Sequence, residues 1–421
     1  MEPAPFPPRP AAEGRSKSPA MEFEVVASWG KARACRMTLP HVTAELPIFM
    51  PVGTQGTIKG LTSAQVHALD APVILANTYH LALRPGGELL ERAGGLHAFM
   101  NWQHGLLTDS GGFQMVSLLQ LADIQEEGVT FQSPHDGSQM LLTPEISMQT
   151  QNQIGADIMM ALDDVVSSVE PSAERMEEAT HRTTRWLDRC VKAHTRPTEQ
   201  NLFGIVQGGL DPKLRELSLR DLVARDLPGY AIGGLSGGEA KAKFWRVVNQ
   251  CTDSLPWDKP RYCMGVGYPL DCVVCACLGV DMTDCVYPTR TGRFGTAMTW
   301  GANESYKGGG DDTGACIIRL KAADMAKDLR PLDPTCSCDV CKQHSRAHLH
   351  LLLCRQHEVG AQLITYHNIA FMMRLLRELR ESIIDGSLPE FVRGFIGRMF
   401  PRDDCPEWAR EALGSAGIVI K

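Results

Sequence analysis

The sequence predicts an α/β protein: a closed (β/α)8 TIM barrel with an inserted hairpin and a small cysteine-bearing subdomain at its C-terminal end. Eight short apolar runs alternate with longer helical stretches across about 240 residues. The runs are nearly continuous in apolar residues, as expected of parallel strands covered on both faces. Acidic and amide residues fall at the ends of several runs, where this architecture gathers its chemistry. An open doubly wound sheet is the competing architecture for the same alternation.

The 421 residues, 43% hydrophobic and 22% charged, suffice for one large core or two modest ones. No run of about 18 uncharged apolar residues occurs, which excludes a membrane-spanning helix. The formal net charge of −7 argues against a broadly cationic nucleic-acid binder but leaves room for a local basic patch. Fourteen cysteines without a secretory apolar region suit a reducing compartment, where clustered thiols bind metal or pack as small hydrophobes.

Residues 1–20 carry six prolines and no apolar periodicity, and are expected to be a disordered tail. A transit peptide is the alternative, and Met21 an alternative start. The barrel is expected over 21–300, a flexible connection over 301–330, and the C-terminal subdomain over 331–421. The strands are read at PIFMPVG (47–53), VILANT (73–78), LLTDSGG (106–112), DIMMALDD (157–164), LFGIVQGG (202–209), YAIGGLSGG (230–238), YCMGVG (262–267) and VDMTDCVYP (280–288). Among the connections, Thr143, Pro144 and Glu145 open a helix that ends near Gly155. The stretch after Pro171 puts Met176, Ala179, Thr183, Trp186, Leu187 and Cys190 on one face of another. A His-Asp-Gly turn within 120–142 reads as a hairpin over the barrel mouth.

Asp109 closes the third run, Asp163 and Asp164 the fourth and Gln207 the fifth, while Asp284 falls within the eighth. Asp157 opens its strand and is read as structural. Two carboxylates and an amide around one concavity suit substitution at an acetal-like carbon: one attacks through an oxocarbenium-like transition state and the other manages the leaving group's proton. Spacing does not separate a sugar hydrolase from a base-exchange enzyme.

The motifs TDSGGFQ (108–114), DIMMALDD, GIVQGG (204–209), YAIGGLSGGE (230–239), YCMGVGYP and DMTDCVYPTRTGRFG (281–295) resemble the tRNA-guanine transglycosylase family. The likeness covers residues 22–300 and resumes from about 331 to the end. It implies exchange of guanine at the wobble position of GUN-anticodon tRNAs for a 7-deazaguanine base, by double displacement through a covalent enzyme–RNA intermediate. Asp284 matches the nucleophile and Asp109 the general acid/base. Base-binding positions match at Asp109, Ser110, Asp163, Gln207, Gly234 and Leu235, with Phe113 and Met264 sandwiching the ring. Gly237 and Val165 resemble the eukaryotic type, whose base, queuine, carries a bulky cyclopentenediol needing the space that Gly237 leaves open.

The same resemblance implies RNA contacts at Gly265, Val266, Gly267, Tyr268, Pro269, Leu270 and Asp271, and at Thr289, Arg290, Thr291, Gly292 and Arg293. A splayed anticodon loop needs only a few well-placed cations. Arg182, Arg185 and Arg189 could add a patch, although a solvated helix face is the preferred reading. Cys336, Cys338 and Cys341 form a C-x-C-x-x-C knuckle suited to one structural Zn2+ with a histidine. The resemblance points to His367, while His344, His348 and His350 lie nearer in sequence. Cys272, Cys275 and Cys277 sit in an all-apolar stretch and read as a buried helix. Residues 300–330 look longer than the family connection.

The resemblance further implies a homologous noncatalytic subunit as heterodimer partner and a cytoplasmic location, with peripheral association with the mitochondrial outer membrane as a further expectation. A noncatalytic RNA-binding paralogue and a small-molecule glycosidase are the alternatives. The first would lack Asp109, Asp163 and Asp284. A barrel hydrolase using catalytic zinc would take its ligands from strand ends instead.

Overall fold

The computed structural model describes residues 14–112, 123–132, 137–170, 172–300 and 314–420. All eight expected strands form: Ile48–Pro51, Val73–Ala76, Gly105–Thr108, Ile158–Met160, Asn201–Val206, Gly229–Ile232, Arg261–Cys263 and Met282–Cys285. They make one parallel sheet in which each pairs with its sequence neighbours and the eighth pairs with the first. A parallel bridge between Val52 and Leu75, with Gly53 N–H donating to the Leu75 carbonyl at 2.6 Å, joins the first strand to the second and closes the barrel. The competing open sheet is thereby excluded.

Strands buried on both faces explain the apolar runs. Met50, Leu75, Leu107, Met160, Phe203 and Met282 fill the interior, while residues of the opposite parity, such as Ile74 and Leu106, pack under the helices. The helix Pro144–Ile154 is capped by Thr143 and ends at Gly155, as expected. The helix Ala173–Ala193 buries the expected face, with Thr180 added.

An antiparallel sheet of Arg15–Ser18, Met21–Trp29, Ala32–Thr38 and Thr43–Leu46 precedes the barrel, an element the apolar runs do not predict. Its inward residues Met21, Phe23, Cys35, Met37 and Leu46 join the interior cluster and plug the N-terminal end. Arg33 pairs there with Asp281, both fully buried. Of the expected tail, residues 1–13 lie outside the described residues, and Arg15–Ser18 are instead drawn into a strand by pairing with Met21–Glu24.

The inserted hairpin is a three-stranded antiparallel sheet of Asp123–Ile124, Val129–Gln132 and Gln139–Leu142; His135 and Asp136 of its expected turn lie outside the described residues. In the connection expected to be flexible, 301–313 lie outside the described residues. Ile317–Arg319, however, pairs with Thr296–Met298, so its second half is ordered by a backbone ladder. The helix Glu358–Ile384 packs back on the barrel. Its Asn368 accepts from Met298 N–H at 2.8 Å and donates to the Pro288 and Thr296 carbonyls at 3.0 Å each, so the C-terminal subdomain is integral to the barrel. No helix among the described residues is long and apolar enough to cross a membrane.

Candidate active site

Register brings the strand-end polar residues to one mouth. Asp109 follows the third strand directly. Its carboxylate accepts from Thr78 N–H at 2.8 Å and from the Asn77 side-chain amide, and its carbonyl accepts from the Thr78 hydroxyl at 2.5 Å. Next to it, Ser110 donates to Asp163 Oδ1 at 3.2 Å, and Gln207 Nε2 donates to Asp163 Oδ2 at 2.7 Å. Burial pushes the Asp163 carboxyl up to about 6, against the pull of these two hydrogen bonds.

Across the mouth, Asp284 Oδ1 accepts from the Tyr262 hydroxyl at 2.5 Å and from Gly265 N–H at 2.8 Å. Burial raises the Asp284 pKa, while both donors oppose the rise. Tyr262 is itself held protonated: burial, then the charges of Asp284 and Asp109, push its hydroxyl well above the usual range. Asp284 Oδ2 forms no hydrogen bond among the described residues. Two carboxylates beside a network of polar groups can perform the substitution read from spacing.

The two adjacent aspartates of the fourth strand part ways. Asp163 enters the mouth, whereas Asp164 turns outward to Arg175 at 2.9 Å and Arg182 at 2.6 Å. Arg185 pairs with Glu126 and Glu178, and Arg189 with Glu145, so this row of arginines is engaged in ion pairs. Asp157, at the other end of the barrel, accepts from Leu106 N–H at 2.8 Å and lies 2.7 Å from His41 Nδ1, a structural position.

Gly234 and Leu235 follow the sixth strand beside Gln207, and Met264 follows the seventh; a Cβ added at Gly233 would meet both Gln207 Nε2 and Met264 Sδ. Gly237 is exposed on the rim, where Glu239 accepts from Ser236 N–H, Gly237 N–H and the Ser168 hydroxyl. Val165 is half-buried nearby. Phe113 lies outside the described residues. Of the two stretches expected to meet RNA, Gly265 is exposed and Tyr268 half-buried, whereas Val266, Gly267, Pro269, Leu270 and Asp271 are buried, Asp271 paired with Lys241. Arg290 and Arg293 are exposed on the helix Tyr287–Phe294; Thr291 is half-buried, and Thr289 and Gly292 are buried.

The cysteine knuckle meets His367, whose Nδ1 lies 3.9, 3.5 and 3.3 Å from the sulfurs of Cys336, Cys338 and Cys341. All four donor atoms lie within 4.8 Å of one another. The Nε2 of His367 is 2.6 Å from the Met298 carbonyl, so it carries the proton and Nδ1 presents its lone pair to the sulfurs. A metal ion fits this set. His344 and His348 instead face each other at 3.0 Å, and His350 contacts the Leu320 carbonyl. Cys272, Cys275 and Cys277 lie buried on the helix Pro269–Cys277, as read.

Asn77, Thr78 and Tyr262 were missed in the sequence. Asn77 and Thr78 close the second apolar run, a position already diagnostic elsewhere, and the strand period of two puts Tyr262 on the side of Met264.

A family model described as queuine tRNA-ribosyltransferase matches residues 28–401. The chain is 50% identical over 414 residues to a Schizosaccharomyces pombe protein named queuine tRNA-ribosyltransferase catalytic subunit, covering 96% of this chain and 98% of that one. A Caenorhabditis elegans protein of the same name is 44% identical over 95% of this chain and 100% of its own. A Thermus thermophilus queuine tRNA-ribosyltransferase is 46% identical over 94% and 98%.

Proposed function

The chain belongs to the queuine tRNA-ribosyltransferase family, and from that premise we propose how its barrel mouth exchanges guanine in tRNA for queuine. The observation that carries the mechanism is the asymmetric holding of Asp284. With Oδ1 engaged by Tyr262 and Gly265, Oδ2 attacks C1′ of the wobble nucleotide. The C1′–N9 bond breaks and an ester-like C1′–O bond to the enzyme forms. Asp109, as its carboxylic acid, gives its proton to the departing guanine. As a carboxylate it then takes the N9 proton of queuine, whose N9 displaces Asp284 from C1′.

The ionised Asp163 accepts from the base's N1–H and exocyclic amine. One of the two hydrogens on Gln207 Nε2 goes to Asp163, which leaves the other, with Leu235 N–H, for the 6-oxygen. Bases lacking these groups are rejected because buried polar atoms would go unpaired. The rim at Gly237 is exposed, and the absence of a side chain there, where a Cβ would press on Ser168 Oγ, lets the cyclopentenediol pass. Arg290 and Arg293, which form no ion pair among the described residues, hold the anticodon backbone.

Cys336, Cys338, Cys341 and His367 Nδ1 would hold one zinc ion, and a set of three thiolates and one imidazole would give it a structural rather than a catalytic part. A homologous noncatalytic subunit is the proposed partner, supported by the relatives' name "catalytic subunit". The free thiols suit a cytoplasmic location. The test is covalent trapping. Wild type incubated with a GUN-anticodon tRNA should give an enzyme–RNA band on a denaturing gel, and Asp284→Asn should give none. An equal band from the variant would reject the mechanism.

A further inference from the structure

Arg215 lies on the helix Pro212–Val223, behind the mouth, and is 0% exposed. Of the other buried arginines, Arg33 and Arg346 pair with Asp281 and Asp328, while Arg261 donates to the Leu255, Pro256 and Gly279 carbonyls at the far end of the barrel. Arg215 forms no ion pair among the described residues, and its partners there are three backbone carbonyls. Its Nε donates to Gly209 at 2.8 Å, Nη1 to Val206 at 2.8 Å and Nη2 to Gly234 at 3.4 Å. A buried cation is costly unless dipoles replace its water, and these carbonyls do so.

All three acceptors flank the base-reading groups. Val206 immediately precedes Gln207, Gly209 closes the turn after it, and Gly234 shares a peptide bond with Leu235. In a trans peptide the carbonyl and the N–H point in opposite directions. With the Gly234 carbonyl drawn outward to the helix layer, Leu235 N–H is aimed inward at the mouth. Gly234 has φ +65°, and a Cβ there would sit 2.2 Å from Gln207 Oε1, so the Gln207 amide lies directly against this peptide.

We infer that Arg215 is a positioning residue for base selection: its planar fork fixes the Gly234–Leu235 peptide and the Gln207 amide as paired donors for the 6-oxo group of a purine or 7-deazapurine. The inference rests on the proposed reading of the site as a base-exchange centre. A lysine, with a compact ammonium on a flexible stem, cannot brace three divergent carbonyls at once.

The test compares guanine with 6-thioguanine, which keeps N1–H and the 2-amine and replaces only the 6-oxygen by a weaker, larger acceptor. The kcat/KM ratio of the two bases is measured for exchange into tRNA on single preparations of wild type, Arg215→Met and Arg215→Lys, so the amount of folded enzyme cancels. Wild type should prefer guanine. Arg215→Met should lower that preference by about tenfold, the worth of one hydrogen bond, with the guanine KM rising more than kcat falls, and Arg215→Lys should lie between. Where turnover is too slow, calorimetric Kd values give the same ratio. An unchanged ratio in both variants makes Arg215 a packing brace and overturns the inference, as does a wild-type ratio near one. Absence of any guanine exchange by wild type would instead reject the proposed function.

Discussion

Replacing Tyr262 with phenylalanine removes one hydroxyl from Asp284, the proposed nucleophile, and little else, because the ring is fully buried among the barrel's interior residues. Among the described residues, Asp284 would then keep the Gly265 N–H as its sole donor. Hydrogen bonds to charged groups contribute about 1.5–3 kcal/mol, and about 1.4 kcal/mol corresponds to one pH unit. Burial already raises the Asp284 pKa and the Tyr262 bond lowers it, so its loss raises the pKa further. Attack requires the carboxylate, and the acidic limb of the reaction should therefore move upward by ~1–2 pH units. Well above that limb the rate should stay within a few-fold of wild type, since a more basic carboxylate attacks at least as well. The assay is single-turnover formation of the covalent RNA complex between pH 5 and 9. A uniform loss at every pH with an unmoved limb would refute the role given to Tyr262.

Base binding should weaken as pH falls through about 6, where Asp163 takes up a proton and loses its acceptor form; a base KM flat from pH 5 to 8 would count against its assignment. Gly237→Val places a side chain whose Cβ would lie 2.8 Å from Ser168 Oγ, and queuine incorporation should fall by about tenfold or more while guanine exchange changes little. Equal use of queuine by the variant would remove the rim argument. His367→Ala should lower the zinc content, measured by mass spectrometry, and reduce stability by several kcal/mol, on the order of a lost structural metal ligand. Arg290→Ala should weaken tRNA binding and lower the salt slope of log K by about 0.7, the contribution of one single-strand phosphate contact, without altering base affinity.

Much of this site was legible because parallel barrel strands have a plain signature. Buried on both faces, they spell apolar runs, and Asp109, Gln207 and Asp284 stand out by interrupting them at the end that faces the chemistry. The N-terminal sheet escaped notice for the converse reason. Its strands are half exposed, and the apolar residues that alternate from Met21 to Phe23 and from Cys35 to Met37 gain their meaning only by plugging a barrel formed later in the chain. Arg215 was invisible too, since an arginine on an amphipathic helix ordinarily reaches solvent.

Local periodicity and residue chemistry specify the eight strand–helix units, the placing of carboxylates at strand ends and the thiol knuckle. The tertiary structure decided direction and partnership. Asp163 and Asp164 lie just beyond the fourth strand, and only the packed barrel says which one enters the mouth and which meets the arginines. Several histidines lie near the knuckle in sequence, yet only the return of the helix Glu358–Ile384 across the barrel brings Nδ1 of His367 to the three sulfurs. Contacts between residues distant in sequence depend on how the elements pack, and no local pattern records that.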